Sequence, residues 1–124
     1  LTGSALFNKM FSDIKKAHIP VCSFSVYDSD FTHCYGSRIN DRAVLLRCFS
    51  LPSVTVITAA DGILSDPALR SRLVYRLYLS TNSYLMIIFD SFAYETFKDE
   101  NLKIISSMLD ELKITLTQQK AVNK

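Results

Sequence analysis

The sequence predicts an α+β sandwich: a central antiparallel sheet with two terminal helices on one face and a middle helix on the other. Three observations predict it. Leu73-Val-Tyr-Arg-Leu-Tyr-Leu79 and Tyr84-Leu-Met-Ile-Ile-Phe-Asp90 are strand-like, and Ser80-Thr-Asn-Ser83 between them is turn chemistry. From Leu102 onward, Leu102, Ile105, Leu109, Leu112 and Leu116 fall on one face of a helix. Nearer the start, Val21-Cys-Ser-Phe-Ser-Val-Tyr27 alternates, with Cys22, Phe24 and Val26 on one side and Ser23 and Ser25 on the other.

The elements follow in order. Leu6, Phe7, Met10, Phe11, Ile14 and Ala17 recur at spacings of three and four, which predicts a helix over 4–18 that Pro20 ends. The alternating run makes the first strand, Asp28-Ser-Asp30 the turn and 31–38 the return strand of a hairpin. Asn40 or Asp41 is suited to cap a helix through 43–49. The next run, Val54-Thr-Val-Ile-Thr58, is β-branched and fits a strand. Read helically, Val54, Ile57, Asp61 and Leu64 share a face, and we favour a helix restarted near Pro52, so that 41–64 covers one side of the sheet. The hairpin 73–90 follows, 91–98 is a loop with exposed aromatics, and Asp99 caps the last helix, expected over 100–118.

The chain of 124 residues has 48% hydrophobic and 21% charged residues, the composition of one globular domain. Residues 5–119 are read as that domain, 1–4 (Leu-Thr-Gly-Ser) as a remnant of cloning and 120–124 as a tail, so the natural reading frame is expected to be longer. The formal charge is +2 with 14 basic residues scattered along the chain, which argues against binding to a phosphate backbone. The longest apolar run is about five residues, far short of the roughly 20 of a membrane span. Three cysteines, Cys22, Cys34 and Cys48, lack metal spacing and fit free thiols in a reducing compartment, with Cys22 and Cys34 read as small buried residues.

Catalytic chemistry is not expected, and neither a cofactor nor a metal is. His33 and Cys34 are adjacent and alternate to opposite faces of a strand. Three glycines in all leave no phosphate-cradling loop, and no Gly-x-Ser-x-Gly is present. Asp28 and Asp30 sit in a turn, where a solvated role outweighs paired-acid chemistry. Arg70, Arg72 and Arg76 would share a strand face, with Arg42 and Arg47 on the middle helix; solvated charge is favoured over a phosphate patch. Tyr75, Tyr78 and Tyr84 are read as sheet packing rather than a stacking platform for bases.

The order of elements resembles the roadblock family, whose domains run helix, two strands, long helix, three strands, helix. The similarity is greatest to the C-terminal roadblock-type domain of Rag GTPases and to Ragulator-type scaffold subunits. It rests on Leu77-Tyr-Leu-Ser-Thr-Asn-Ser-Tyr-Leu-Met-Ile-Ile-Phe-Asp90 and the helix at 101–116. The resemblance places a strand between the middle helix and Leu73, sought within 62–71. It implies a roadblock/longin-like (profilin-like) fold and a non-catalytic dimerisation or scaffold domain in small-GTPase regulation or membrane-associated signalling. It also implies a homo- or heterodimer, a small GTPase as partner, and a cytoplasmic setting at the cytosolic face of lysosome or vacuole. The partner surface is assigned to Arg47, Phe49, Val54 and Ile57. Two alternatives stand beside it: a longin-type vesicle-trafficking subunit, and a small-molecule-sensing domain of the PAS, GAF or profilin kind.

Overall fold

In the computed structural model, which describes residues 3–64 and 66–122, the elements are α1 (Gly3–Lys16), β1 (Ser23–Asp28), β2 (His33–Gly36), α2 (Arg42–Ser50), β3 (Val54–Thr58), β4 (Ser71–Tyr78), β5 (Tyr84–Ser91) and α3 (Asp99–Val122). A single 3-10 turn, Ala59–Asp61, follows β3. The five strands form one antiparallel sheet in the order β2-β1-β5-β4-β3. The fold is α+β, as expected, and its two faces follow from alternation along each strand. Phe24, Val26, Leu73, Leu77, Leu85, Ile87 and Phe89 point to one side and meet Leu6, Phe7, Met10 and Ile14 of α1 and Ile105, Leu109 and Leu112 of α3. Tyr27, Ile57, Val74, Met86 and Ile88 point to the other and meet Cys48 and Phe49 of α2.

Local chemistry sets the boundaries. Helix α1 stops before the expected residue 18 because His18 turns left-handed, at φ 61°. Its N–H reaches the Lys15 carbonyl at 3.0 Å, and the Ile19 N–H reaches Ile14 at 3.3 Å. This pair of bonds is a Schellman motif, and the buried contact expected of it is supplied by Ile14 and Ile19. Pro20 lies beyond the end and does not cause it. In the β1–β2 turn, the Asp28 carboxylate accepts from the N–H groups of Asp30 and Thr32, at 2.9 and 3.0 Å. Asp28 therefore has the turn role its position suggests. Gly36 pairs with Ser25 at φ 80°, where a Cβ would lie 1.9 Å from the Phe24 carbonyl oxygen; only glycine fits. Asp41 caps α2, accepting from Ala43 and Val44.

Val54–Thr58 is a strand, not part of the helix favoured from the helical spacing. Helix α2 ends at Ser50, and Leu51 is extended (φ −78°, ψ 158°), as a residue before proline must be. The β-branched run then pairs residue for residue with β4, Val54 opposite Tyr75 and Thr58 opposite Ser71. It is also the strand sought within 62–71. The last helix is longer than expected and carries through Val122, so residues 120–122 are helical rather than tail. Leu1, Thr2, Asn123 and Lys124 lie outside the described residues.

Ile105 and Leu109 are fully buried, and Leu112 nearly so. Leu109→Ala is expected to cost roughly 2–5 kcal/mol in denaturant melts; a loss below about 1 kcal/mol would contradict the packing described. Replacing His18 with glycine should work in the opposite direction. A left-handed non-glycine residue costs roughly 1–2 kcal/mol, more than glycine's extra unfolded-state entropy. Stability should therefore rise by about 0.5–1 kcal/mol, read as a higher midpoint at unchanged slope.

Candidate functional site: a free sheet edge and a buried ion pair

Strand β3 lies at one edge of the sheet, and its neighbour β4 occupies only one side of it. The hydrogen bonds flanking the ladder, Arg76 N–H to Ser53 C=O (2.7 Å) and Ala59 N–H to Arg70 C=O (2.9 Å), fix which residues point inward. Thr55 and Ile57 then bond to β4, and Val54, Val56 and Thr58 turn their backbone groups outward. The Thr58 N–H is taken by the Asp61 carboxylate at 2.8 Å. Val54 and Val56 thus present main-chain donors and acceptors along an edge that carries no lysine, proline or bulge within the strand.

Of the four residues assigned to a partner surface, two are buried within the chain itself. Phe49 is 9% exposed and Ile57 5%; both belong to the core between α2 and the sheet. Phe49 is ringed by Tyr27, Phe31 and Tyr84, the nearest ring centroid 4.3 Å away. A charge at Ile57 would report on core stability, not on partner binding. Val54 (48% exposed) and Arg47 remain at the surface. A strand period of two puts Val54 and Ile57 on opposite faces, whereas a helical period had put them together. Leu46, 43% exposed on α2, is a surface apolar residue the sequence reading missed. It falls off the stripe made by Leu45, Cys48 and Phe49, and that offset was the signal for it.

The arginines of β4 form no solvated patch. Arg72 stands directly opposite Asp90 across β4 and β5. Its Nε donates to Asp90 Oδ1 at 2.6 Å and an Nη to Oδ2 at 3.1 Å, with both side chains buried. Ser23, opposite Asp90 on β1, donates from Oγ to Oδ2 at 3.2 Å. Burial alone would pull the Arg72 guanidinium down, but the hydrogen bond and charge of Asp90 outweigh it and its pKa is raised. Arg76 lies between the Phe49 carbonyl, to which it donates, and the Tyr84 ring, 5.3 Å away. Arg70 lies over Tyr94, at 5.7 Å, and Arg42 is exposed. The tyrosines serve packing: Tyr78 and Tyr84 pair at 5.4 Å, and Tyr75 packs against the α1/α3 core.

Cys22 and Cys34 are exposed, contrary to the buried reading, because Cys22 precedes β1 and Cys34 lies on the short edge strand β2. Cys48 is buried against the Arg72–Asp90 pair. Among the described residues no group of His, Cys, Asp or Glu is arranged to hold a metal, and no helix is long and apolar enough to cross a membrane. No family model, curated protein or solved structure matches the chain.

Desolvation raises the Cys48 thiol above its ordinary value. A raised acid is held neutral in the fold, so its contribution to stability is present below the unfolded thiol's pKa and is lost as pH rises through the folded one. Alkylation of native protein should modify Cys22 and Cys34 and spare Cys48, which should react only on unfolding. Mass spectrometry would show two adducts and then three. A third adduct on native protein, or a disulfide between Cys22 and Cys34, would contradict this arrangement.

Proposed function

We propose that the chain is a non-catalytic dimerisation and scaffold domain of the roadblock type, acting in small-GTPase regulation or membrane-associated signalling. What supports the reading is the order α1 β1 β2 α2 β3 β4 β5 α3, the order that the sequence resemblance implies once 54–58 is counted as a strand. The observation that carries it is the unprotected edge of β3. The other edge is blunted: β2 is four residues long and its pairing with β1 is irregular between Val26 and Tyr27. A partner strand adding at β3 would extend the sheet through main-chain hydrogen bonds, with the exposed Val54 as an apolar contact on the strand itself. A second copy or a related subunit fits this edge, and the GTPase is expected to dock on the assembled pair. A longin-type subunit is less well supported, since the longin fold begins with a strand and here α1 precedes β1.

Val56→Pro tests the reading. The N–H it removes points away from β4, so the sheet of the monomer keeps its ladder while the edge loses a donor. The wild-type domain is expected to sediment as a dimer, or to capture a dimerising subunit from cell extract. The variant is expected to stay folded by circular dichroism and to lose that association. A folded variant that associates as the wild type does would remove β3 as the contact surface.

A further inference from the structure

Where α2 begins, the cover over the sheet is incomplete, and a polar cleft of about 310 Å3 lies between β1, the 37–41 segment and the 66–69 segment. Its floor is the Arg72–Asp90 pair, already neutral overall. Beside the floor lies Ser25, only 3% exposed and on the β1 face that carries Ser23 and Tyr27. Among the described residues its hydroxyl has no hydrogen-bond partner. The rest of the residue is buried but this oxygen opens into the cleft, where a ligand atom can bond to it. The charges on the wall are sharply divided. Asp41 is offset by the start of α2, whose N–H groups it caps. That leaves one cation, Arg38, without an ion pair among the described residues, and one anion, Asp66, with Oδ1 accepting the Ala68 N–H and Oδ2 unengaged.

We propose that this cleft binds a small zwitterion of the free amino-acid type, its carboxylate on Arg38 and the Ser25 hydroxyl, its ammonium on Asp66. The proposal stands independently of the scaffold reading. A phosphate ligand is disfavoured because the one unpaired cation of the lining, Arg38, is matched by the unbalanced carboxylate of Asp66. A simple cation would face Arg38, and a sugar would find no aromatic ring in the lining on which to stack. The volume suits a ligand with both charges on one small molecule.

The test is an amide NMR titration of the 15N-labelled chain with free amino acids of acidic, basic, polar and apolar side chain. Each is matched with its N-acetyl and its C-amide derivative, and glucose and inorganic phosphate serve as controls. At least one free amino acid is expected to give saturable shifts at Ser25, Ser37 and Asn40, with both capped derivatives weaker by about tenfold or more. Arg38→Ala and Asp66→Asn should each weaken it by a similar factor. Arg38 is exposed and makes no bond among the described residues, so its loss is expected to leave folding intact. Ser25→Val should abolish binding; if that variant does not fold, Arg38→Ala decides. The proposal is overturned by no saturable shift up to about 10 mM, by glucose or phosphate binding as well as any amino acid, or by binding indifferent to capping or to Arg38→Ala.

Discussion

The Arg72–Asp90 pair is the constraint on which the arrangement of the sheet depends. It lies in a single row that crosses four strands, Ser23 on β1, Asp90 on β5, Arg72 on β4 and Ile57 on β3. Two largely buried charges compensate each other there, with the Ser23 hydroxyl on Asp90 and the Cys48 thiol beside Arg72. Such a pair adds little net stability relative to apolar residues of the same size, but separating its members is costly. Its consequence is register. A slip of one residue between β4 and β5 would send Arg72 and Asp90 to opposite faces and move Leu73 and Phe89 out of the core, so the charged pair and the apolar pattern exclude the same errors. Once β4 and β5 are fixed, β1 and β3 have one way to add on either side.

The two faces of the sheet solve unequal problems. On one, α1 and α3 pack side by side and enclose Phe24 and Phe89, whose ring centroids are 5.1 Å apart. On the other a single helix of nine residues covers only part of the surface. Its brevity has a local cause, since Leu51 is forced into an extended conformation by Pro52 and the chain leaves the helix to form β3. A helix continuing through 41–64 would have covered this face. Because α2 stops before Pro52 the chain is free to form β3, the edge strand; the cleft lies at the opposite end of α2, between its start and the 66–69 segment.

The sequence was informative where one period operates over a long segment. The stripes of α1 and α3 and the 73–90 hairpin were legible because each repeats its pattern over several turns or across a matched pair of strands. The five residues from Val54 were not, because a run that short satisfies both periods; the spacing of Val54, Ile57, Asp61 and Leu64 was accidental. Pro52 was the better guide, since it stops a helix and leaves the β-branched propensity to decide. The Arg72–Asp90 pair was not readable from the turn. Counting back equally from residues 80–83 sets Arg72 opposite Ser91, whereas the hairpin closes with Tyr78 opposite Tyr84, and that shift of one residue brings Arg72 opposite Asp90. Phe49 and Ile57 were placed at the surface because apolar anchors are expected of an interface, when burial in the chain's own core explains them equally well.

The asymmetry of the edges supplies the remaining argument. Proteins that stay monomeric blunt exposed strands with charge, proline, bulges or brevity. Edge β2 has brevity and an irregular pairing, and the His33 ring lies 2.9 Å from the Gly36 carbonyl oxygen and 3.0 Å from that of Ser37, where the strand ends. Edge β3 has none of these inside the strand, and its one satisfied outward group, the Thr58 N–H, lies at its far end. The cation nearest in sequence, Arg47, precedes the strand on α2 and is exposed. An edge left open on one side of a sheet whose other side is closed is the arrangement a partner strand requires, which is why the scaffold reading is placed on β3 rather than on the helices. The cleft near Ser25 belongs to a different part of the molecule, bordered by β1 and the start of α2, so a ligand there and a strand at β3 would occupy separate surfaces of one fold.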